Sequence, residues 1–319
     1  MQHSIIDAEN RVVATASSKL RLKANAEQAR DEQELKVRNP HLWDVSAPYM
    51  YQVKTELMDE KTQEVIDCCV NPLGIRTFAF DPEKGFFLNG KHVKLIGTSR
   101  HQDYLNKGNA LPDEIHVRDV MELKEMGGNF LRVSHYPQDP VVMEMCDKLG
   151  ILTSVEIPIV NTVTESDAFL DNSVRMAKEM IKQNYNHPSV VIWAYMNEVL
   201  LRLPQLDSAR METYFQSVYH VASTLESLIR STDPTRYTMI AFHNAYDRYS
   251  KCGITALPMI QGWNLYAGWY ERDINSFQRN LDRLHGLHPD KILMVTEYGA
   301  GADPRLHSYH PELFDFSQE

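Results

Sequence analysis

Apolar and polar positions follow one rhythm in the first quarter of the chain and another in the rest. Tyr51, Val53 and Leu57 fall on one side of a two-residue period, and Gln52, Lys54 and Glu56 on the other. That alternation predicts a half-solvated antiparallel strand over Tyr51–Leu57. Arg11–Ala16, Glu64–Val70 and Gly74–Phe80 read as further strands, separated by the turn pairs Asn39-Pro40, Ala47-Pro48, Asn71-Pro72 and Asp81-Pro82. Strands at this spacing predict an immunoglobulin-like β-sandwich over residues 1–80. Such a sandwich usually needs about 100 residues, so a strand or more is expected to be missing from its front.

From Lys91 onward, strand-like runs alternate with helical ones. Strands are predicted at 92–96, 129–133, 151–155, 190–194, 237–242, 257–261 and 292–296. Helices are predicted at 112–126, 139–149, 171–185, 208–230 and 274–284, two of them stopped by Gly127-Gly128 and Gly150. Repeated β/α units leave two architectures, a (β/α)₈ TIM barrel or a doubly wound sheet. No GxGxxG follows the first strand and no GxxxxGK[ST] occurs, which removes the usual reasons for a nucleotide-binding sheet. The reading is therefore an α/β chain: a TIM barrel over residues 81–319 with seven strands present. His310–Phe316 makes a poor eighth strand, so the barrel is expected to be truncated at its C-terminal side.

Chemistry gathers at the strand ends. Val190–Ala194 is a β-branched and aromatic run, suited to a strand buried on both faces, and it delivers Asn197-Glu198. The C-terminal ends of parallel strands are where such folds bind ligands. Other strand ends supply Thr98–His101, Arg132–Tyr136, Glu156, Trp263–Tyr266 and Thr296–Gly299. Two carboxylates across a barrel mouth, with Arg, His and aromatic neighbours, are what glycoside cleavage uses. One must hold a proton for the leaving oxygen, and the other must stay ionised to attack the anomeric carbon. Arg132 is a candidate to keep one ionised by proximity, and Trp263 and Trp269 are candidate sugar platforms. The plainer reading of Glu198 is a helix cap or a loop ion pair, and Glu156 reads as structural.

Composition narrows the partners. The chain is 43% hydrophobic and 24% charged, with a formal net charge of -10. That balance argues against a nucleic-acid surface and against an anionic membrane as partner. The four cysteines, Cys68, Cys69, Cys146 and Cys252, lack metal-ligand spacing and read as buried thiols. No apolar run reaches transmembrane length, and the first twenty residues lack a signal-peptide core. With a native start the chain reads as cytoplasmic. A leader lost upstream would make it periplasmic or secreted.

Several long motifs, in order, resemble glycoside hydrolase family 2, the retaining β-galactosidase, β-glucuronidase and β-mannosidase group. Asn39-Pro40-His41-Leu42-Trp43 through Tyr49-Met50-Tyr51 resembles the family's immunoglobulin-like domain. Gly74-Ile75-Arg76 and Phe87–Lys91 resemble its entry to the barrel, and Arg132–Pro137 its second-strand signature. Asn186–Val190 with Trp193 and Asn197-Glu198 resembles the acid/base signature, and Thr296–Gly299 the nucleophile signature. The resemblance covers essentially the whole chain.

It implies Glu198 as general acid and then general base, Glu297 as nucleophile, and a retaining outcome with the carboxyls roughly 5–5.5 Å apart. Asn197 would bond the sugar 2-hydroxyl, Tyr266 would touch the nucleophile, and Arg132, His135 and His101 would line the sugar subsite. Some family members hold a metal after strand three, but Ile157–Thr162 lacks the Glu and His ligands, so no metal and no cofactor are expected. The family's jelly-roll domain is expected to be missing in front of these residues, and the eighth strand behind them. The expected function is that of a retaining exo-β-glycosidase acting on an oligosaccharide or small glycoside, first a β-galactoside, with β-glucuronidase as the runner-up. The alternatives are an inactive or carbohydrate-binding fragment, because an open barrel leaves sheet edges unpaired, and a metal-dependent hydrolase, which would need a His/Asp cluster. Self-association into a homo-oligomer remains open.

Overall fold

The structure is a computed structural model that describes residues 1–21, 28–271, 273–301 and 303–310. At the N-terminal end, β1 (Gln2–Ile6), β2 (Val12–Ser17), β3 (Tyr51–Met58) and β4 (Val65–Leu73) form an antiparallel sheet in the order β2-β1-β3-β4. Strand β1 is not evident in the sequence pattern, because Gln2, His3 and Ser4 break the alternation. It owes its place to pairing with β2 on one side and β3 on the other. Strand β4 lies at the sheet edge with most of its residues exposed. Cys68 and Cys69 are consequently exposed rather than buried, whereas Cys146 and Cys252 are buried as expected.

A small three-stranded sheet follows, made of β5 (Phe78–Asp81), β6 (Gly85–Leu88) and β7 (Lys91–His92). Phe86 and Leu88 are buried with Trp43 against Leu152, Val191, Ile192 and Met239, at the N-terminal ends of the barrel strands. Trp43 fixes this junction further by donating from Nε1 to the Asp147 carbonyl at 2.8 Å. Gly74 is needed there as well, since a β-carbon would stand 2.4 Å from Pro188 Cγ.

The barrel strand expected at 92–96 is displaced. Lys91-His92 turns back to pair with Phe87-Leu88, and the parallel strand is β8 (Gly97–Arg100). Gly97 sets that register: a β-carbon on it would meet the Phe130 carbonyl oxygen at 1.6 Å. The alternation of helices and strands then runs α1 (Asp113–Glu125), β9 (Phe130–Val133), α2 (Pro140–Leu149), β10 (Leu152–Glu156), α3 (Asp167–Asn184), β11 (Val190–Asn197), α4 (Ser208–Thr232), β12 (Tyr237–His243), α5 (Tyr246–Cys252), β13 (Ile260–Asn264), α6 (Ser276–Leu287) and β14 (Ile292–Glu297). Helix α3 begins earlier than its apolar period suggests because the Ser166 hydroxyl caps it through the Phe169 amide. Strand β13 starts later than predicted, after a 3₁₀ turn at Ile254–Ala256 and Pro258.

Strands β8 to β14 make one parallel seven-stranded sheet in sequential order, the architecture of a TIM barrel. The sheet curls enough that the Ser99 hydroxyl on β8 donates to the Thr296 carbonyl on β14 at 3.3 Å. Helix α4 shows how the outer layer packs. Phe215, Val218, Ala222, Leu225 and Ile229 recur at helical spacing and are all buried. Among the described residues no helix is long and apolar enough to cross a membrane. The eighth strand considered at His310–Phe316 lies almost wholly outside the described residues.

A buried polar knot ties the foot of β11 to the loop after α4. Asp233 accepts from Trp193 Nε1 at 2.9 Å, from Arg236 Nη1 at 2.7 Å and from the Thr235 amide at 2.9 Å. Arg236 also donates to the Val190 carbonyl at 2.9 Å, so its charge is fully engaged. Asp233→Ala is expected to leave Arg236 buried without its counter-charge and to destabilise the chain by about 3–5 kcal/mol, read as a lower urea midpoint; an unchanged midpoint would contradict this account of the knot.

Candidate active site

Adjacent parallel strands bring their last inward-facing residues to one mouth. Arg132 sits opposite Ser99 and Ser154 in the register of β8, β9 and β10, Asn197 ends β11, and Asn264 pairs with Glu297 across β13 and β14. Side chains alternate in and out along a barrel strand, which explains a correction. Trp263, expected as a sugar platform, faces the helical layer fully buried, 5.1 Å from Phe242 and 6.1 Å from Tyr246 between ring centres. Its neighbour Asn264 takes the inward position. Trp269 is buried as well and offers no open face.

Arg132 is the hub, only 3% exposed. Its Nη1 donates to Glu297 Oε1 at 2.5 Å, and its Nη2 donates to Asn197 Oδ1 at 2.9 Å and to Glu156 Oε2 at 3.2 Å. Burial works against the guanidinium charge, yet the charges of Glu156 and Glu297 outweigh it and hold its pKa above the ordinary value. The Tyr266 hydroxyl donates to Glu297 Oε2 at 2.6 Å. Burial, followed by the bond to Glu297, raises the phenol pKa, so Tyr266 keeps its proton as a donor. Both oxygens of Glu297 are therefore met by fixed donors.

Glu156 is 1% exposed and also meets His135, whose Nδ1 lies 2.5 Å from Oε1. Paired with a carboxylate, Nδ1 is the nitrogen that carries hydrogen, and Nε2 turns toward the mouth, 3.6 Å from Glu297 Oε1. The His101 ring stands 5.0 Å from that of His135. Burial and the neighbouring His135 lower the His101 pKa. All seven side chains singled out in the sequence thus lie at one end of the barrel. Glu156, buried among them, meets two of the seven, Arg132 and His135.

Glu198 follows β11 with a φ of 50°, a left-handed conformation that costs a residue with a β-carbon about 1–3 kcal/mol. The backbone is pinned there, with Glu198 N–H donating to the Ala241 carbonyl at 2.8 Å and Leu201 N–H to the Glu198 carbonyl at 2.7 Å. Desolvation by burial raises the Glu198 pKa. The hydrogen bond from Asn264 opposes that shift, and the charge of Glu297 adds to it. Asn264 Nδ2 donates to Glu198 Oε1 at 2.9 Å, and Asn264 Oδ1 accepts from Thr296 Oγ1 at 2.7 Å. Asn264 and Thr296 stood in the strand-end stretches read from the sequence, which gave neither of them a role. The signal was a polar residue at a strand end, and residue type alone drew the sugar-platform reading to the adjacent Trp263. Among the described residues no group of three His, Cys, Asp or Glu side chains stands together to hold a metal ion.

The raised Glu198 pKa has a sign consequence for stability. Between the unfolded and folded pKa values the folded state binds more protons, so the contribution is fully present at acid pH and is lost as pH rises through the folded pKa. Glu198→Gln keeps an oxygen to accept from Asn264 and carries no charge. It is expected to raise stability by about 1 kcal/mol at pH 7 and to lose that advantage below about pH 4, as read by urea unfolding at both pH values; an equal effect at both would count against a charge cost at Glu198.

Residues 82–318 match the family model described as glycosyl hydrolases family 2, TIM barrel domain, and residues 1–76 match that of glycosyl hydrolases family 2. A β-glucuronidase of Bacteroides fragilis is 36% identical over 300 residues, covering 92% of this chain and 40% of that protein. A β-galactosidase of Bacteroides ovatus is 37% identical over 321 residues, covering 92% of this chain and 36% of that protein. The crystal structure of a Bacteroides uniformis β-glucuronidase superposes with a TM-score of 0.93 at 41% identity, covering 99% of this chain and 38% of that one. The chain thus spans about two fifths or less of these relatives. With both family models matched in order and the converging strand ends described above, the chain belongs to glycosyl hydrolase family 2.

Proposed function

We propose that the protein containing this chain is a retaining exo-β-glycosidase. Glu198 protonates the glycosidic oxygen while a Glu297 oxygen attacks the anomeric carbon. The bond to the aglycone breaks, the aglycone leaves as an alcohol, and a glycosyl ester forms on Glu297. Glu198, now a carboxylate, takes a proton from water as the water oxygen attacks that ester. The sugar is released with its configuration retained, and Glu198 regains its proton. Arg132 and Tyr266 orient the attacking carboxylate. Asn197 uses its Oδ1 toward Arg132 and Asn264, which turns its Nδ2 toward a substrate hydroxyl. His101 and His135 line the sugar.

The observation that carries this reading is the asymmetry of the two carboxyls at one mouth. Glu297 is met by two donors on its two oxygens, whereas burial favours the protonated form of Glu198. On the sugar, two readings have specific support. The relatives named β-glucuronidase favour a β-glucuronide, among them a Bacteroides uniformis enzyme, 42% identical, described as covalently bound to a cyclophellitol-6-carboxylate aziridine. The β-galactosidase of Bacteroides ovatus favours the β-galactoside expected from the sequence.

A panel of nitrophenyl β-glycosides on the full-length parent protein tests class and sugar together. Turnover of one glycoside is expected, with the β-anomer as first product and no effect of a chelator. Glu297→Ala should abolish turnover with folding intact, and Glu198→Ala should lower it by about 10²–10⁴-fold. Turnover surviving in Glu297→Ala, or an α-anomer as first product, would overturn the assignment.

A further inference from the structure

We infer that Asn264, clamped by Thr296 from the nucleophile's own strand, is the positioning residue that holds Glu198 in place and sets which of its oxygens carries the proton. The inference rests on the acid/base reading of Glu198.

An amide side chain presents an oxygen and a nitrogen of similar shape, so its orientation must be enforced by its partners. For Asn264 the enforcement is explicit. Thr296 Oγ1 donates to Oδ1 at 2.7 Å, which commits the other end, Nδ2, to donation. That end reaches Glu198 Oε1 at 2.9 Å and Asn197 Oδ1 at 3.2 Å. Asn264 is 2% exposed, so no solvent competes for the amide. Donation to Oε1 favours the lone pairs there and leaves Oε2 as the oxygen that carries and delivers the proton.

The Thr296 rotamer is itself set from below. A β-carbon on Gly262 would lie 2.7 Å from Thr296 Cγ2 and 3.2 Å from its Oγ1. The absent side chain at Gly262 is therefore the space the threonine methyl fills, and filling it aims the hydroxyl at Asn264. Gly262, Thr296, Asn264 and Glu198 form a short mechanical series in which the residue next to the nucleophile orients the acid. The charged and titratable groups facing Glu198 from the surrounding elements are Glu297 on β14, Arg132 on β9, His135 after it, Tyr249 on α5 and Tyr266 after β13.

Two measurements test the series. The first follows the Glu198 carboxyl by carbon-13 NMR across pH in this chain, with Glu198→Gln for assignment. Thr296→Val keeps the methyl packing and removes the hydroxyl, so Asn264 loses its clamp and Glu198 should titrate higher than in the unaltered chain. Asn264→Ala should move it further the same way, and Thr296→Ser, which keeps the hydroxyl but loses the methyl that seats it, should titrate between the unaltered chain and Thr296→Val. The second compares leaving groups in the parent enzyme, on the sugar it turns over. A phenyl glycoside needs the proton and a dinitrophenyl glycoside does not, so kcat/KM in Thr296→Val should fall about tenfold or more on the first and stay near unaltered on the second.

A Glu198 titration unmoved in Thr296→Val, or equal losses on both leaving groups, would overturn the inference. A parent enzyme inactive on every glycoside, with the titration still moved, would remove the enzymatic reading and leave the positioning intact. Should Asn264→Ala fail to fold, Thr296→Val, isosteric with the native residue, still decides the matter.

Discussion

The buried guanidinium of Arg132 is the interaction on which the mouth of this barrel depends. A charge removed from water to 3% exposure is costly unless each polar neighbour answers it. Arg132 is answered by Glu297 on one terminal nitrogen and by Asn197 and Glu156 on the other, while its buried Nε has no hydrogen-bond partner. Lysine could not take its place, because only the planar fork of arginine reaches three acceptors from one rigid plane. The partners come from β14, β11 and β10, so the same charge that needs them also fixes the relative heights of those strand ends. Glu156 matters here as more than a counter-ion. By engaging Arg132 and His135 together it lets Glu297 share the guanidinium without having to neutralise it alone.

That sharing separates the two carboxyls. Glu297 lies within the arginine network and under the Tyr266 hydroxyl. Glu198 lies outside it, on a left-handed residue, with a neutral amide as its partner. An amide donor steadies a carboxyl without forcing it to ionise, whereas a guanidinium favours the charged form strongly. The fold thus gives Glu198 a neutral donor and Glu297 a cation, which is the division that the proposed mechanism uses. The distinction follows from which strand end each side chain occupies, and it requires no difference in residue type.

How much of this was legible beforehand depended on how local each cause is. Helix α4 could be read because Phe215, Val218, Ala222, Leu225 and Ile229 keep one face for the core, and β11 because a run of β-branched and aromatic residues has few other uses. The places of Glu198 and Glu297 were legible because a polar residue ending an apolar strand in a β/α repeat falls at the C-terminal end of the parallel sheet. Strand β1 was not, since Gln2, His3 and Ser4 are ordered by partners that lie far along the chain. The first barrel strand was misplaced because Val93–Ile96 has the better strand composition, yet Gly97 is the residue whose missing side chain allows contact with the Phe130 backbone. Trp263 and Asn264 are neighbours, and composition favoured the indole as the functional one. The in-out alternation of β13, whose register cannot be read from residue types, gives that role to the asparagine.

Orientation passes through Thr296 because the alternation of β14 breaks there. The register of β13 and β14 shifts so that Trp263 pairs with Val295 and Asn264 with Glu297, and Thr296 is the extra residue between them, its hydroxyl turned to Asn264 and its methyl to Gly262. A hydroxyl in that position can serve β13 without crowding the substrate. Gly262 faces it across the strand pair, and its lack of a side chain gives the threonine methyl a fixed seat. The Thr296 carbonyl meanwhile accepts from Ser99 on β8, the far edge of the curled sheet. One residue therefore touches the first strand of the barrel through its backbone and the Asn264 amide through its side chain. The seam between β8 and β14 is thereby linked through Thr296 and Asn264 to Glu198, while Glu297, the next residue on β14, is tied to Arg132 on β9.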